Sequence, residues 1–392
     1  DKKLSINEKI SSDYKIDVNK KINTIEKIDP SVKLDVSTKS DLDIKYIDKD
    51  FVSKILKPRK QDAYKKDFGH AFIISGSVGF SGAAYLVAQS CVRSGAGLVT
   101  LCTPREIQDI MSIKLSEAMT LNFDEKEKID EFLEKADSIG IGPGMTNSQR
   151  TLEILNNVIE KVKCPIIVDA DGINVLQGNL DLLIKRNKYV NLNKINQSNK
   201  IVSKLNKVNQ SNKIASKLNN INQPNKIVSK LNNINEPNEI TSKIDNENLR
   251  NKISLRDKRK KIILTPHYGE MSRITGISIP EIKKNRVEIS KEFAKKYNVI
   301  LLLKDHRTLV TDGENVFINT SGNSSMASGG MGDTLTGIIT SFVAQGYSEI
   351  DATCVGVFLH GYCGDKLSEK MFCVNATHII DELPFAIKDL MR

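Results

Sequence analysis

Short apolar runs that alternate with helix-like segments constrain the fold of this chain more than any other feature of its sequence. Each run is typical of a buried strand, because it is short, rich in branched aliphatic residues and followed by a turn residue. The runs are Ala71-Phe-Ile-Ile-Ser75, Leu98-Val-Thr-Leu101, Ser138-Ile-Gly-Ile-Gly142, Pro165-Ile-Ile-Val-Asp169, Lys261-Ile-Ile-Leu264 and Asn298-Val-Ile-Leu-Leu-Leu303. Strands that alternate with helices, such as the one predicted from Gly82 to Arg93, indicate βαβ units. The sequence therefore predicts an α/β fold with a central, mostly parallel sheet flanked by helices.

Two stretches of different composition interrupt this pattern. Residues 1–43 are rich in Lys, Ile, Asp and Ser and contain no glycine, which predicts a linker or a disordered arm. Residues 187–260 hold a 13-residue repeat rich in Asn, Lys and Ile. At about 100° per residue, one repeat rotates the apolar stripe by roughly 140°, so no single long helix keeps one apolar face. We predict a flexible insertion, with a small solenoid as the alternative, and one domain formed by residues 44–186 and 261–392. Copies of the repeat begin at Asn196, Asn209, Asn222 and Asn235.

Composition limits the classes of partner and compartment. A net charge of +10 can indicate a nucleic-acid partner, but here the lysines are concentrated in the two unusual stretches. Aromatic residues make up 5% of the chain and Trp is absent, so we expect no base-stacking surface and no nucleic-acid partner. The six cysteines form no CxxC pair, which favours the cytoplasm, and no apolar run reaches the ~20 residues that span a bilayer. Because the chain begins at Asp1 rather than Met, we expect further residues before it.

The glycine-rich stretch from Asn323 to Ile339 carries the strongest functional signal. It contains Ser-Gly-Gly-Met-Gly-Asp333 directly before a helix predicted from Thr334. Glycines allow a ligand to approach the backbone, and free amides at a helix start attract phosphate. A carboxylate in such an anion site makes sense if Asp333 removes the proton from a hydroxyl that attacks a phosphoryl group. The alternative is a turn in which Asp333 caps the helix.

Other polar or glycine-rich segments follow the remaining predicted strands, and ligands bind at this edge of open parallel sheets. The GxxxxGK[ST] phosphate loop and a GxGxxG fingerprint at the first turn are both absent, which excludes a Walker-type ATPase and hydride transfer to a bound dinucleotide. Asp169 and Asp171 are candidates for metal binding or for capping the next helix. The segments are Ser75-Gly-Ser77, Gly142-Pro-Gly144, Asp169-Ala-Asp171, Thr265-Pro-His-Tyr-Gly-Glu270 and Lys304 to Thr308.

In their order and spacing these motifs resemble the NAD(P)H-hydrate dehydratase family, whose fold is ribokinase-like. The resemblance covers about residues 43–186 and 261–392 and implies repair of NADHX and NADPHX. ADP or ATP would phosphorylate the ring hydroxyl, phosphate would leave, and NADH or NADPH would be restored. Members are often fused to an NAD(P)H-hydrate epimerase and form homo-oligomers, so we expect both associations here. The matching segments are Ser75-Gly-Ser77, Gly82-Ala-Ala84, Arg93 to Val99 with Thr103-Pro104, Gly142-Pro-Gly144, Val168-Asp-Ala-Asp171, Leu264 to Glu270, Ala327 to Asp333, and His360-Gly361 with Gly364-Asp365.

The resemblance also implies roles for individual residues. Asp333 would be the catalytic base. Mg²⁺ is expected to bridge the phosphates, held mainly by the nucleotide and water, and no protein ligand is named for it. Contacts with the hydrated dinucleotide are implied for Ala83, Gly144, His267 and Asp333. Nucleotide binding is implied for Lys304, Asp305, His306, Arg307, Thr308, Gly329, Gly330, Met331 and Gly332.

The chain departs from the family pattern in two places. Asp305 stands where members usually have Gly, and a carboxylate there weakens phosphate binding unless it points away or helps to hold Mg²⁺. Tyr64-Lys-Lys-Asp-Phe-Gly69 replaces a His-Lys-Gly-Asp-Tyr-Gly pattern. His360 is interpreted as a packed core histidine, and a backbone-bonded His267 is the alternative to ligand contact. Two other functions stay open: a ribokinase-like kinase of a small alcohol, and a non-catalytic interaction protein that uses the repeat.

Overall fold

The computed structural model describes residues 44–186 and 260–392. Residues of both ranges contribute neighbouring strands to one ten-stranded sheet. The predicted arm at residues 1–43 and the repeat up to residue 259 lie outside the described residues. Among the described residues, no helix is both long enough and apolar enough to cross a bilayer.

The sheet has the order β1-β10-β9-β8-β7-β6-β5-β2-β3-β4. Strand β9 runs antiparallel to both of its neighbours, and every other pair in the sheet is parallel, which confirms the predicted mostly parallel sheet. The strands are β1 Ile44–Ile47, β2 His70–Ile74, β3 Leu98–Thr103, β4 Met119–Asn122, β5 Ser138–Ile141, β6 Ile166–Val168, β7 Ile262–Leu264, β8 Ile300–Leu303, β9 Leu309–Thr311 and β10 Val316–Asn319.

Helices connect most of these strands. Residues 181–186 are also helical, and 3₁₀ turns occupy Lys65–Phe68 and Ser324–Met326. The helices are α1 Lys49–Ile55, α2 Ser81–Arg93, α3 Arg105–Lys114, α4 Lys126–Lys135, α5 Gln149–Lys161, α6 Asp171–Asn174, α7 Tyr268–Thr275, α8 Ile279–Lys284, α9 Arg286–Tyr297, α10 Met331–Ala344, α11 Glu349–Ser368 and α12 Ala376–Leu390.

Helix α10 lies at the centre of the molecule, and its residues from Thr334 to Ala344 are all buried. Two glycines permit this position, because they let neighbouring elements approach closely. A Cβ on Gly337 would lie 2.0 Å from Ser90 Oγ of α2, and one on Gly140 of β5 would lie 2.7 Å from Thr340 Oγ1. Packing against both the sheet and α2 therefore fixes where α10 begins, at the carboxyl edge of the sheet.

The strand order contains a switch point between β2 and β5. From β2 the chain moves through β3 and β4 to one edge, whereas from β5 it moves through β6, β7 and β8 toward the other. The loops that leave β2 and β5 therefore diverge and leave a crevice beyond their carboxyl ends. Open α/β sheets bind ligands in such a crevice.

The chain leaves and re-enters the described structure at neighbouring points on the opposite, amino edge. The buried Arg186 donates from Nε to Lys260 O at 3.1 Å and from Nη1 to Val162 O at 3.3 Å. Lys260 N donates to Lys163 O at 3.1 Å, just before β6. Arg186 thus joins the two ends of the segment that carries the repeat.

Candidate functional site

Two loops meet at the switch point and are joined by hydrogen bonds. Ser75 Oγ and Gly76 N donate to Pro143 O at 2.7 and 2.9 Å, and Ser77 Oγ donates to Gly144 O at 2.7 Å. Gly144 has a φ of 66°, and a Cβ there would lie 2.9 Å from Ala83 Cβ. The structure therefore brings Ala83 and Gly144 together in the crevice, and their contact with a dinucleotide stays a prediction.

Two apolar side chains at the mouth of this crevice were missed by the sequence reasoning. Val78 is 68% exposed and Phe80 is 56% exposed, and Phe80 lies directly beside Gly144. Exposed aliphatic and aromatic groups that border a cleft are typical of surfaces that pack against a ligand ring.

The glycine-rich loop begins α10 three residues earlier than predicted. Gly330 is the N-cap residue, with a φ of 84°, and no side chain bonds to the helix at this cap. Asp333 accordingly lies within the first turn, and the capping interpretation of its carboxylate is wrong. Amides at the start of a helix have no partner within the helix, so they are available to an anion.

The carboxyl group of Asp333 is unusually basic. Burial raises its pKa to about 6, and the nearby charge of Asp169 contributes in the same direction, whereas Lys304 opposes the increase. A carboxyl group with a pKa close to neutrality is suited to accept a proton from a substrate hydroxyl. The start of α10 therefore combines a basic carboxyl group, that of Asp333, with backbone amides that can bind an anion.

Lys304 lies at the end of β8 among carboxylates from two other elements. Its Nζ is 2.7 Å from Asp169 Oδ1 and 3.8 Å from Glu270 Oε2. Asp169 is 1% exposed and also accepts from Thr336 Oγ1 of α10 at 2.8 Å. Although burial lowers the pKa of Lys304, Asp169 and Glu270 raise it above its ordinary value, so the ammonium stays charged. A Cβ on Gly332 would lie 3.4 Å from Nζ, which places this charge beneath the glycine-rich loop.

Glu270 is nearly buried, with 6% of its side chain exposed. Burial raises its pKa and Asp169 adds to the increase, while Lys304 opposes it. His267 shares the start of α7 with Glu270, since its Nδ1 accepts from Gly269 N at 2.9 Å and from Glu270 N at 3.3 Å. Because Nδ1 is an acceptor, the proton of the neutral ring is on Nε2.

His267 is therefore bonded to backbone and also available to a ligand. Its side chain is 51% exposed, and burial, Lys304 and Arg273 lower its pKa. Its Nε2 lies 3.6 Å from Glu270 Oε1, and contact of the half-exposed ring with a dinucleotide stays a prediction.

A second set of hydrogen bonds joins the loops after β5, β6 and β7. Asp171 Oδ2 accepts from Thr146 N at 2.8 Å, and Asn174 Oδ1 accepts from Arg273 Nη1 at 2.6 Å. Asp169 therefore pairs with the ammonium group of Lys304 and the hydroxyl group of Thr336, whereas Asp171 holds the loop after β5 in place. Within the described ranges, no three His, Cys, Asp or Glu side chains are arranged to hold a metal ion.

The predicted nucleotide segment from Lys304 to Thr308 forms a turn beside this cluster. Thr308 is buried and its Oγ1 donates to Asp305 O at 2.8 Å, while His306 and Arg307 are exposed. Arg307 donates from Nη1 to Thr320 O at 3.4 Å.

The carboxylate of Asp305 accepts from Tyr268 Oη at 2.8 Å and lies 3.3 Å from Arg286 Nη1. The sequence reasoning identified Asp305 but neither of these partners.

Asp365 and His360 support the glycine-rich loop from α11. Asp365 accepts from Gly322 N at 2.9 Å and from Asn323 Nδ2 at 2.7 Å. His360 is half-buried rather than a fully packed core residue; burial lowers its pKa to about 4, and its ring is hydrogen-bonded to the backbone of Met331 at the start of α10. Gly329 faces open space, so the loop is accessible on its outer side.

The second departure from the family pattern lies far from this cluster. Residues Tyr64 to Gly69 precede the amino end of β2 and therefore lie at the opposite edge of the sheet. A cavity of about 1000 Å³ at that edge is lined by Tyr64, Phe68, Arg93 and Tyr347. Cavity size alone therefore does not locate the candidate site, which is identified by its charged groups and its helix start.

Several known proteins are similar to this chain in sequence or in fold. A bifunctional NAD(P)H-hydrate repair enzyme of Moorella thermoacetica is 27% identical over 349 residues, which cover 86% of this chain and 52% of the relative. An ADP-dependent (S)-NAD(P)H-hydrate dehydratase of Staphylococcus aureus is 28% identical over 348 residues, which cover 88% of this chain and 98% of the relative. A ribokinase-like superfamily protein of Enterococcus faecalis has a crystal structure that is 24% identical, with a TM-score of 0.65, and the match covers 88% of this chain and 96% of that chain. The chain spans about half the length of the bifunctional relatives it matches.

The sheet, the central helix and the site at the carboxyl edge define a ribokinase-like α/β protein, as the sequence predicted. The family model described as NAD(P)H-hydrate dehydratase matches residues 71–193 and 193–385. The chain therefore belongs to the NAD(P)H-hydrate dehydratase family, which confirms the resemblance drawn from its motifs.

Proposed function

We propose that this protein dehydrates (6S)-NADHX and NADPHX to NADH and NADPH at the expense of ADP or ATP. The observation that carries the proposal is the position of Asp333, whose basic carboxyl group lies in the first turn of α10 beside the charge of Lys304. A base, an anion site and a cation within one crevice are the parts that phosphoryl transfer to a hydroxyl requires.

The reaction proceeds in two steps. Asp333 takes the proton of the ring hydroxyl, and the oxygen attacks the terminal phosphorus of the nucleotide, so a P–O bond forms while the nucleotide loses that phosphoryl group. The C–O bond to the new phosphate then breaks with its electron pair on the phosphate. A proton leaves the adjacent ring carbon, and the dihydronicotinamide double bond is restored.

Each remaining residue has a role in binding. The amides from Gly329 to Gly332 would bind the transferring phosphoryl group, since preorganised donors stabilise the negative charge that develops on it. Residues 304–308 would line the nucleotide. Ala83 and Gly144 leave room for the hydrated ring, and Nε2–H of His267 donates to the dinucleotide.

Magnesium enters as part of the nucleotide complex. We expect the ion to be held mainly by phosphates and water, and among the described residues no three His, Cys, Asp or Glu side chains are grouped to bind it. Bound there, the ion neutralises charge on the transferring phosphoryl group.

The proposal extends to the setting of the protein. All six cysteines are free, which supports a reducing compartment such as the cytoplasm. The names of the bifunctional relatives support association with an epimerase. Assembly into a homo-oligomer stays a prediction.

The test follows the near-ultraviolet absorbance of the reduced nicotinamide. The wild type and Asp333→Asn are each mixed with NADHX and Mg²⁺ and with either ADP or ATP. Recovery of absorbance by the wild type alone supports the proposal and identifies the nucleotide. A stable phosphorylated product without recovery would contradict the elimination step, and no recovery with either nucleotide would contradict the dehydratase and favour a kinase of a small alcohol or a non-catalytic role.

A further inference from the structure

Asp305 is the least expected charge near the proposed nucleotide. A carboxylate close to phosphates repels them. The nearest cation along the chain, Lys304, is already engaged by Asp169 at 2.7 Å and faces Glu270 at 3.8 Å. Lys304 is therefore paired with other carboxylates, and the partners of Asp305, Arg286 and Tyr268, come from outside the turn.

Arg286, the first residue of α9, supplies the positive charge next to Asp305. Its Nη1 lies 3.3 Å from Asp305 Oδ2, and the same oxygen accepts from Tyr268 Oη at 2.8 Å. Both charged side chains are partly shielded, with 26% of Arg286 and 38% of Asp305 exposed. A partly shielded pair interacts more strongly than one on the open surface.

Arg286 also holds the backbone of the turn. Its Nη1 donates to Arg307 O at 3.0 Å, two residues beyond Asp305. Inside the turn, Thr308 Oγ1 accepts from Asp305 N at 3.3 Å and donates to Asp305 O at 2.8 Å. Arg286 therefore fixes the outer side of the turn that Thr308 fixes from within.

We propose that Arg286 is a positioning residue of the nucleotide site, and that it acts by neutralising Asp305 and turning its carboxylate toward Tyr268. The phosphates then meet a turn whose only carboxylate, Asp305, is paired with a guanidinium. The inference rests on the proposed nucleotide binding by residues 304–308. The guanidinium at the start of α9 would thus offset the carboxylate of Asp305.

A double-mutant cycle on the Michaelis constant for the nucleotide tests the inference. Arg286→Ala leaves a bare carboxylate, so KM should rise at least about tenfold, or about 1.4 kcal/mol, with kcat within about twofold of wild type. Asp305→Gly releases the guanidinium and should lower KM about two- to threefold. The double variant carries neither charge and should return to within about threefold of wild type. A role of Arg286 in structure alone, through Arg307 O, would not be rescued by the second substitution.

Two further variants complete the design. Lys295→Ala removes one positive charge from the same helix, where Lys295 pairs with Glu314 at 2.9 Å on the surface, and it should leave KM unchanged. Arg286→Lys keeps the charge and should stay within about threefold of wild type, which separates loss of charge from misfolding. An Arg286→Ala protein with normal KM, or a double variant as impaired as Arg286→Ala, would overturn the inference.

The wild type distinguishes failure of this inference from failure of the proposed function. If the wild type turns over NADHX but the cycle shows no coupling, only the role of Arg286 is wrong. If the wild type shows no turnover, calorimetric titration with ADP and ATP in the presence of Mg²⁺ measures the same cycle as dissociation constants. Absence of nucleotide binding by the wild type would refute both.

Discussion

Replacing the proposed base with its neutral isostere should make the folded protein more stable at neutral and alkaline pH. The pKa of Asp333 is raised from 3.8 to about 6, chiefly by burial, so the ionised form is less favourable in the folded protein than in the unfolded chain. A shift of about two units corresponds to about 3 kcal/mol, and the partial exposure of the side chain reduces the expected effect to about 2 kcal/mol. Asp333→Asn removes this cost while keeping the shape of the side chain.

The sign of the pH dependence follows from the direction of the shift. A carboxyl group with a raised folded-state pKa destabilises the protein fully above about pH 6, and the cost disappears as pH falls toward the unfolded value of 3.8. Urea unfolding should therefore show an advantage of about 2 kcal/mol for Asp333→Asn near pH 8 and a much smaller one near pH 4.5.

A matched substitution gives the opposite expectation. Burial raises the pKa of Asp312, but backbone hydrogen bonds from Asn315 and Glu314 outweigh it and lower the pKa overall. Asp312→Asn should accordingly reduce the free energy of unfolding near neutral pH. Equal or lower stability of Asp333→Asn near pH 8, with Asp312→Asn behaving as expected, would refute the assignment of a strained carboxylate to Asp333.

Three further outcomes are expected. The value of kcat/KM should fall as pH drops through about 6, because Asp333 must be ionised to act as a base, and a profile flat down to pH 5 would contradict that role. Asp169→Asn should move the acidic limb of the kcat/KM profile to lower pH by about half a unit to one unit, since a negative charge next to Asp333 is lost. The same substitution should destabilise the protein by about 2 to 4 kcal/mol because Lys304 loses its closest partner. Gly144→Val should raise KM for NADHX at least about tenfold without changing KM for the nucleotide, because the new side chain would occupy the crevice beside Ala83, and an equal rise in both constants would argue against separate sites.

The six strands named in the sequence analysis are buried along nearly all of their length. The apolar runs before Gly76, Gly142 and Lys304 became β2, β5 and β8 within one or two residues. The edge strands β1 and β4 gave no comparable signal, because Ile44–Ile47 and Met119–Asn122 are partly exposed and lack a continuous apolar run.

The start of α10 was predicted three residues too late. Gly330 and Gly332 flank Met331, and because glycine has low helix propensity the sequence pattern did not indicate that the helix begins at Met331. The motifs located the segments of the candidate site but not their pairings. Asp169 meets Lys304, and Arg286 meets Asp305, only because the fold brings separate elements together, so one sequence without its structure could not reveal either pair.

The hydrogen bonds of Arg186 bear on how the number of repeat units can change. They bring the two ends of the intervening segment together at the amino edge of the sheet, away from Asp333 and Lys304. For a flexible insertion, which is what the sequence predicts here, the closure entropy grows only with the logarithm of the number of residues, about 0.6 kcal/mol for each doubling. Replication errors that add or delete repeat units between such fixed ends would change the length of the gene product while leaving its folding equilibrium and its chemistry nearly untouched.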